Sequence, residues 1–141
     1  MKTAIRSTIS LVLLLSVILS LAACGNKYVG TSWENATYTE DKSFGDGAKT
    51  IKVTVEAGEK SVVFTIKTDK ATVGEAMQEH GLIEGEQGAY GLYVKKVNGI
   101  TADFDIDQTY WGFYINGEMA MTGVDSTNID ESAEYKLVRT K

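Results

Sequence analysis

Proline is absent from all 141 residues, and cysteine and histidine occur once each. Without proline, turns must depend on glycine, asparagine and aspartate, and 14 glycines are available for that. A lone cysteine excludes an intramolecular disulfide, so the fold must hold by packing. With one histidine and no Gly-x-Ser-x-Gly elbow, no serine has a base to activate it, and nothing in the pattern reads as an enzyme. Positive charge is scarce too: 14 Lys and Arg stand against 19 Asp and Glu, a net charge of −5. Nucleic acid and anionic lipid are poor partners for such a chain, because both need Lys and Arg to neutralise phosphate. Long apolar runs are lacking everywhere except at the start.

That one run spans Ile9 to Leu21 behind Lys2 and Arg6. It is shorter than the ~20 residues of a spanning helix and ends in small residues, so residues 1–23 read as an export signal. The closing Leu21-Ala22-Ala23-Cys24 resembles the lipobox of bacterial lipoproteins, in which the cysteine receives diacylglycerol and the chain is cut before it. Acyl chains at ~0.8 kcal/mol per buried CH₂ then supply stable attachment. Removal of the signal takes Lys2 and Arg6, leaving 12 basic against 19 acidic residues, a balance of −7. Residues 24–49 are polar and irregular and read as the lipid anchor and a flexible tether. Tyr28, Trp33 and Tyr38 are aromatic for a linker, which leaves open that this segment packs on the domain or a partner.

From Thr50 the pattern becomes structured. Ile51, Val53 and Val55 alternate with polar residues, as do Val62, Phe64 and Ile66, and Ala57-Gly58-Glu59-Lys60 between them makes a hairpin turn. Thr72 and Glu75 form a capping box, after which Val73, Ala76, Met77 and His80 trace one helical stripe that ends at Gly81. Strands resume at Tyr90. Asn98-Gly99 and Asn116-Gly117 each sit between extended runs, as a type I′ hairpin requires, and a last strand covers Tyr135 to Val138. The expected fold is α+β: a mixed or antiparallel sheet of hairpins crossed by one short helix.

The second Asn-Gly hairpin carries the candidate site. Pairing Ile115 with Glu118 extends outward through Tyr114 with Met119 and Phe113 with Ala120, then Gly112 with Met121 and Trp111 with Thr122. One face then carries Trp111, Phe113, Ile115 and Ala120, and the other Tyr110, Tyr114, Met119 and Met121. Neither face is polar, so either both are covered or the Tyr/Met face meets a ligand. Tyrosine gives a flat apolar surface with a hydroxyl, and methionine adapts to irregular shapes. Tyr110, Trp111 and Tyr114 are the expected contacts, with Met119, Met121 and Tyr93 behind them. Asp103, Asp105 and Asp107 open like a calcium loop, but Gln108 and Tyr114 stand where that loop needs Gly and Glu, so a solvated acidic loop is expected. His80 reads as a structural residue at a helix end, and no metal site is expected.

Five segments resemble the transcobalamin-like C-terminal domain of bacterial surface proteins: 72–76, 90–94, 97–100, Tyr110-Trp111-Gly112-Phe113-Tyr114-Ile115-Asn116-Gly117-Glu118, and Thr122-Gly123-Val124-Asp125. The resemblance runs over roughly residues 50–139 within a domain taken as 50–141. It implies a β-grasp-like fold and kinship with the smaller domain of vertebrate cobalamin carriers. It supports a small-molecule-binding module better than cobalamin binding as such. With the lipobox, the expectation is a module anchored on the extracytoplasmic face of the cell membrane, with a corrinoid-like ligand fed to a membrane transporter and no resident cofactor. This chain lacks the carriers' large helical domain. The alternative is a surface module that displays its sheet to another protein or a cell-wall polymer.

Overall fold

The computed structural model describes residues 32–141; the signal segment, Cys24 and Tyr28 lie outside the described residues. The alternating segments form the strands expected, β2 (Lys49–Ala57) and β3 (Lys60–Thr68), paired antiparallel around Gly58, whose φ of +65° the turn requires. Their inward residues Ile51, Val53, Val55, Val62, Phe64 and Ile66 are all buried. Helix α1 (Val73–Glu79) follows with the capping box in place. Glu75 N–H donates to the Thr72 hydroxyl at 3.2 Å, and Thr72 N–H donates to the Glu75 carboxylate at 3.1 Å. Val73, Ala76 and Met77 are buried beneath it.

Both Asn-Gly turns form with positive φ at each central residue: +51° and +80° at Asn98-Gly99, +52° and +81° at Asn116-Gly117. The first joins β5 (Gly91–Val97) to β6 (Ile100–Thr101), and the second joins β7 (Tyr110–Ile115) to β8 (Glu118–Met119). The last strand, β9 (Glu134–Thr140), lies parallel to β2 and antiparallel to β7. With β1 (Lys42–Phe44) parallel to β3, the main sheet has the order β1-β3-β2-β9-β7-β8. A first hairpin, a helix, and a last strand returning parallel beside the first is the β-grasp arrangement, in an α+β fold with a mixed sheet.

Four features depart from the expected layout. Strands β4 (Ile83–Gly88), β5 and β6 make a separate three-stranded sheet. Strand β4 was hidden by its composition, Ile-Glu-Gly-Glu-Gln-Gly, which has little intrinsic strand preference and is held by pairing with β5. The acidic loop is instead a one-turn helix, α2 (Phe104–Asp107), capped by Asp103. The tether expected over 24–49 is corrected over its described part. Trp33, Ala36, Tyr38 and Phe44 pack against the core, and β1 extends the sheet. Finally, the β7–β8 ladder ends early: Ala120 N–H reaches Phe113 O at 2.9 Å, but Met121 and Thr122 leave the edge. There Thr122 and Thr127 share a hydroxyl hydrogen bond of 2.9 Å, and the chain turns into a 3₁₀ segment at Val124–Ser126.

One face of the main sheet carries α1 and the three-stranded sheet over a common core. Trp111 Nε1 donates to Ile100 O at 3.2 Å, and Arg139 Nε donates to Thr101 O at 2.8 Å, tying the two sheets together. On the opposite face the outward residues of β2, β3, β7 and β9 are half-exposed or exposed, apart from Gly112, and among the described residues no helix or second sheet lies over them.

Candidate functional site

The structure divides the six expected contact residues among four places. Trp111 is in the core, 7% exposed, with its indole N–H satisfied, which removes it from any surface group. Its strand neighbours point the other way. Tyr110 and Tyr114 are half-exposed on the open face, with Gly112 between them. A β-carbon placed on Gly112 would lie 3.1 Å from Tyr114 Cε2, 3.6 Å from the Tyr114 hydroxyl and 3.7 Å from Tyr110 Cε2. Both rings therefore lean inward over the glycine, which is why Gly112 is buried on an otherwise open face. This is the aromatic cover that a glycine in a strand commonly receives.

Met119, directly paired with Tyr114, shares the open face and is 55% exposed on the edge strand; Met121, where the chain leaves that edge, is 99% exposed. Asp125, four residues on, accepts a hydrogen bond from Leu92 N–H at 2.9 Å through Oδ2. Its carboxylate fits only because Gly91 and Gly123 lack side chains: a β-carbon on either would approach Oδ1 to 2.8 or 3.0 Å. Gly91 also has a φ of +103°, so two constraints exclude other residues there. This clamp brings the 121–123 bend beside Tyr90, which is 98% exposed and escaped sequence reading. Its tandem position before Gly91 within the 90–94 segment was the available signal. Oδ1 of Asp125 is buried with no hydrogen-bond partner.

Tyr93, the sixth residue, lies on β5 in the smaller sheet, 43% exposed, with the Lys95 ammonium 5.8 Å from its ring centre. Lys95 is 3.4 Å from Asp103 and 3.6 Å from Glu86. Burial pulls its pKa down, but the two carboxylates outweigh that and hold it above the ordinary 10.5. Asp103 and Asp107 are also engaged through their other oxygens, while the Asp105 side chain is exposed. Asp103 Oδ1 accepts from Asp105 N–H, and Asp107 accepts from the hydroxyl and N–H of Thr109 and pairs with Arg139 at 2.7 Å. The Thr109 hydroxyl above all, then its N–H and Arg139, holds the Asp107 pKa below 3.8 against the opposing effect of burial. These carboxylates cap and brace; they do not converge on a cation.

His80 terminates α1 and stacks on Phe44 at 5.3 Å, with Nε2 3.8 Å from Glu79 and otherwise without a partner. It borders a polar cleft of about 290 Å³ with Gly45, Thr68, Asp69 and Glu79. Among the described residues no three His, Cys, Asp or Glu side chains are grouped to hold a metal ion.

Residues 70–134 match the family model for a domain of unknown function, DUF4430. A solved structure from Ruminococcus gnavus ATCC 29149, described as that of a "putative metal binding protein", is 34% identical. The match covers 66% of this chain and 97% of that one, with a TM-score of 0.62. Haptocorrin, solved in complex with Cbi, shares the fold at 17% identity and a TM-score of 0.53, over 70% of this chain. This chain spans only 27% of haptocorrin's length. No curated protein sequence matches. The match of the central and C-terminal residues, with the near-complete coverage of the R. gnavus protein, shows that this chain belongs to the DUF4430 family.

Proposed function

We propose that this protein is a membrane-anchored extracytoplasmic binding module that captures a flat, largely apolar small molecule of corrinoid type and passes it to a membrane transporter. The observation that carries this reading is the exposed rim at one end of the domain. Tyr90 and Met121 are almost fully in water, on two loops that the Asp125 carboxylate draws together. Large apolar side chains left this exposed gain from being covered, because a ligand would take their surface out of water. A β-grasp fold shared with haptocorrin is compatible with the ligand class, and the rim supplies an aromatic ring and a thioether to meet it. Its role is binding rather than catalysis.

The lipid on Cys24 would hold the domain close to its transporter. With residues 32–49 folded onto the sheet, eight peptide steps separate Cys24 from Ser32, a reach of at most about 28 Å. The test is a cobalamin and cobinamide titration of the full chain, followed by tryptophan fluorescence and thermal shift. Saturable stabilisation is expected, weakened roughly 3- to 10-fold by Tyr90→Ala or Met121→Ala. A flat response in both assays would sink the proposal.

A further inference from the structure

The open sheet face bears a different kind of surface from the rim. Tyr110 and Tyr114 are four residues apart on β7, so their backbones are about 13 Å apart, and both rings lean back toward Gly112. The result is a pair of half-exposed phenol rings meeting over Gly112, with the exposed Met119 directly across from Tyr114 on β8. Beside the rings on β9, Lys136 lies directly across from Tyr114, and Val138 across from Gly112. Lys136 is paired at 2.9 Å with Glu56, its neighbour's neighbour on β2. The rings are therefore flanked by an ammonium and a carboxylate that cancel in charge while still offering a donor and an acceptor. Threonines continue the face, Thr54 on β2 and Thr140 on β9, both half-exposed.

We infer that this face is a binding site for a neutral oligosaccharide. Four observations select that occupant. Two phenol rings are half-exposed on it, which suits stacking of the C–H-bearing face of a pyranose on a ring. The rings converge on Gly112 from either side and make one aromatic patch of sugar-ring size. The flanking charges are already neutralised by each other, which gives no net attraction for an anion or a cation. The available polar groups, two phenol hydroxyls, an ion pair and threonines, match a ligand rich in hydroxyls. A glycan seated here leaves the Tyr90–Met121 rim free, so this site stands or falls independently of the small-molecule reading above.

The test is isothermal titration of the full chain with neutral tetrasaccharides (cello-, chito-, xylo- and mannotetraose), with sedimentation run in parallel. At least one sugar should bind, and Tyr110→Ala or Tyr114→Ala should each weaken it roughly 3- to 10-fold. Gly112→Ala is the sharper variant. Its new methyl meets only the far ends of the two tyrosine side chains, so the fold tolerates it, but the rings must lift and binding should fall by a similar factor. Thermal unfolding of each variant separates loss of the surface from loss of the fold. The inference is overturned if no tetrasaccharide binds, or if binding survives the Tyr110→Ala/Tyr114→Ala double variant. It is equally overturned if the face proves to be covered by a second copy, seen as a sugar-insensitive dimer that the double variant dissociates. Should corrinoid binding fail while sugar binding holds, the rim assignment alone is lost.

Discussion

Single residues here do more than one task, and Asn98 is the clearest case. Its positive φ makes the β5–β6 turn, while its buried side chain accepts from Tyr38 N–H at 2.9 Å and donates to Tyr38 O at 2.8 Å. Its own carbonyl receives Thr37 N–H at 2.9 Å. The turn was readable from Asn-Gly alone. The clamp was not, because the partner lies 60 residues away. Asn98→Gly separates the two roles: the turn conformation is kept and the clamp is lost. It should cost about 1–3 kcal/mol in denaturant unfolding, with faster hydrogen exchange confined to the segment before β1. Trp111 makes the complementary point. Its strand position was legible, but its expected surface role was not, since only the second sheet supplies the Ile100 carbonyl that buries it. Trp111→Phe should lower stability by roughly 1–3 kcal/mol by deleting the buried indole hydrogen bond between the sheets, as measured by urea unfolding.

At the scale of elements, legibility followed local physics. Helix α1 was readable to its first residue because the capping box satisfies backbone donors from nearby side chains. Strands β1 and β4 were not, because a three-residue strand and a glycine-rich acidic one exist only through their partners. The cap also sets an acid limit on stability. The Glu75 carboxylate, bonded first to Thr72 N–H and then to Ala71 N–H, has its pKa held below 4.5, and Asp107 and Asp130 lie below 3.8. For Asp130 the Ser132 hydroxyl and N–H are responsible. Each group has a lower pKa folded than unfolded. Each therefore adds stability above its unfolded pKa, and that contribution is lost as pH falls through the folded value. Tm should be level near neutrality and decline below about pH 4.5, and Glu75→Ala should flatten the upper part of that decline. Thr72→Ala, which removes the other half of the box, should cost about 1 kcal/mol at neutral pH by calorimetry.

For the whole molecule, the decisive finding is that the segment from Ser32 to Ala48 is part of the domain. Phe44, Tyr38 and Phe64 meet edge to face, and His80 stacks on Phe44. Asp41 Oδ1 further accepts from Val63 N–H at 2.7 Å. Phe44→Ala should lower stability by roughly 3–5 kcal/mol, discounted for its partial exposure, and expose residues 32–48 to limited proteolysis before the rest of the chain. If Cys24 carries the anchor, the native chain should partition with detergent and bear diacylglycerol at Cys24, and Cys24→Ser should move it to the aqueous phase.

Period-two strands, the capped helix and two Asn-Gly turns were written locally, since each depends on residues within a few positions of one another. Even the α+β class followed from their order. What the tertiary structure decided was which faces are covered. The hairpin's apolar residues on both sides left that open, and packing resolved it by sending Trp111 inward against Ile100 while leaving Tyr110 and Tyr114 over Gly112 on an open sheet. It likewise put Met121 into water by drawing Asp125 to Leu92. Such outcomes turn on contacts between residues tens of positions apart, and local pattern carries no term for them.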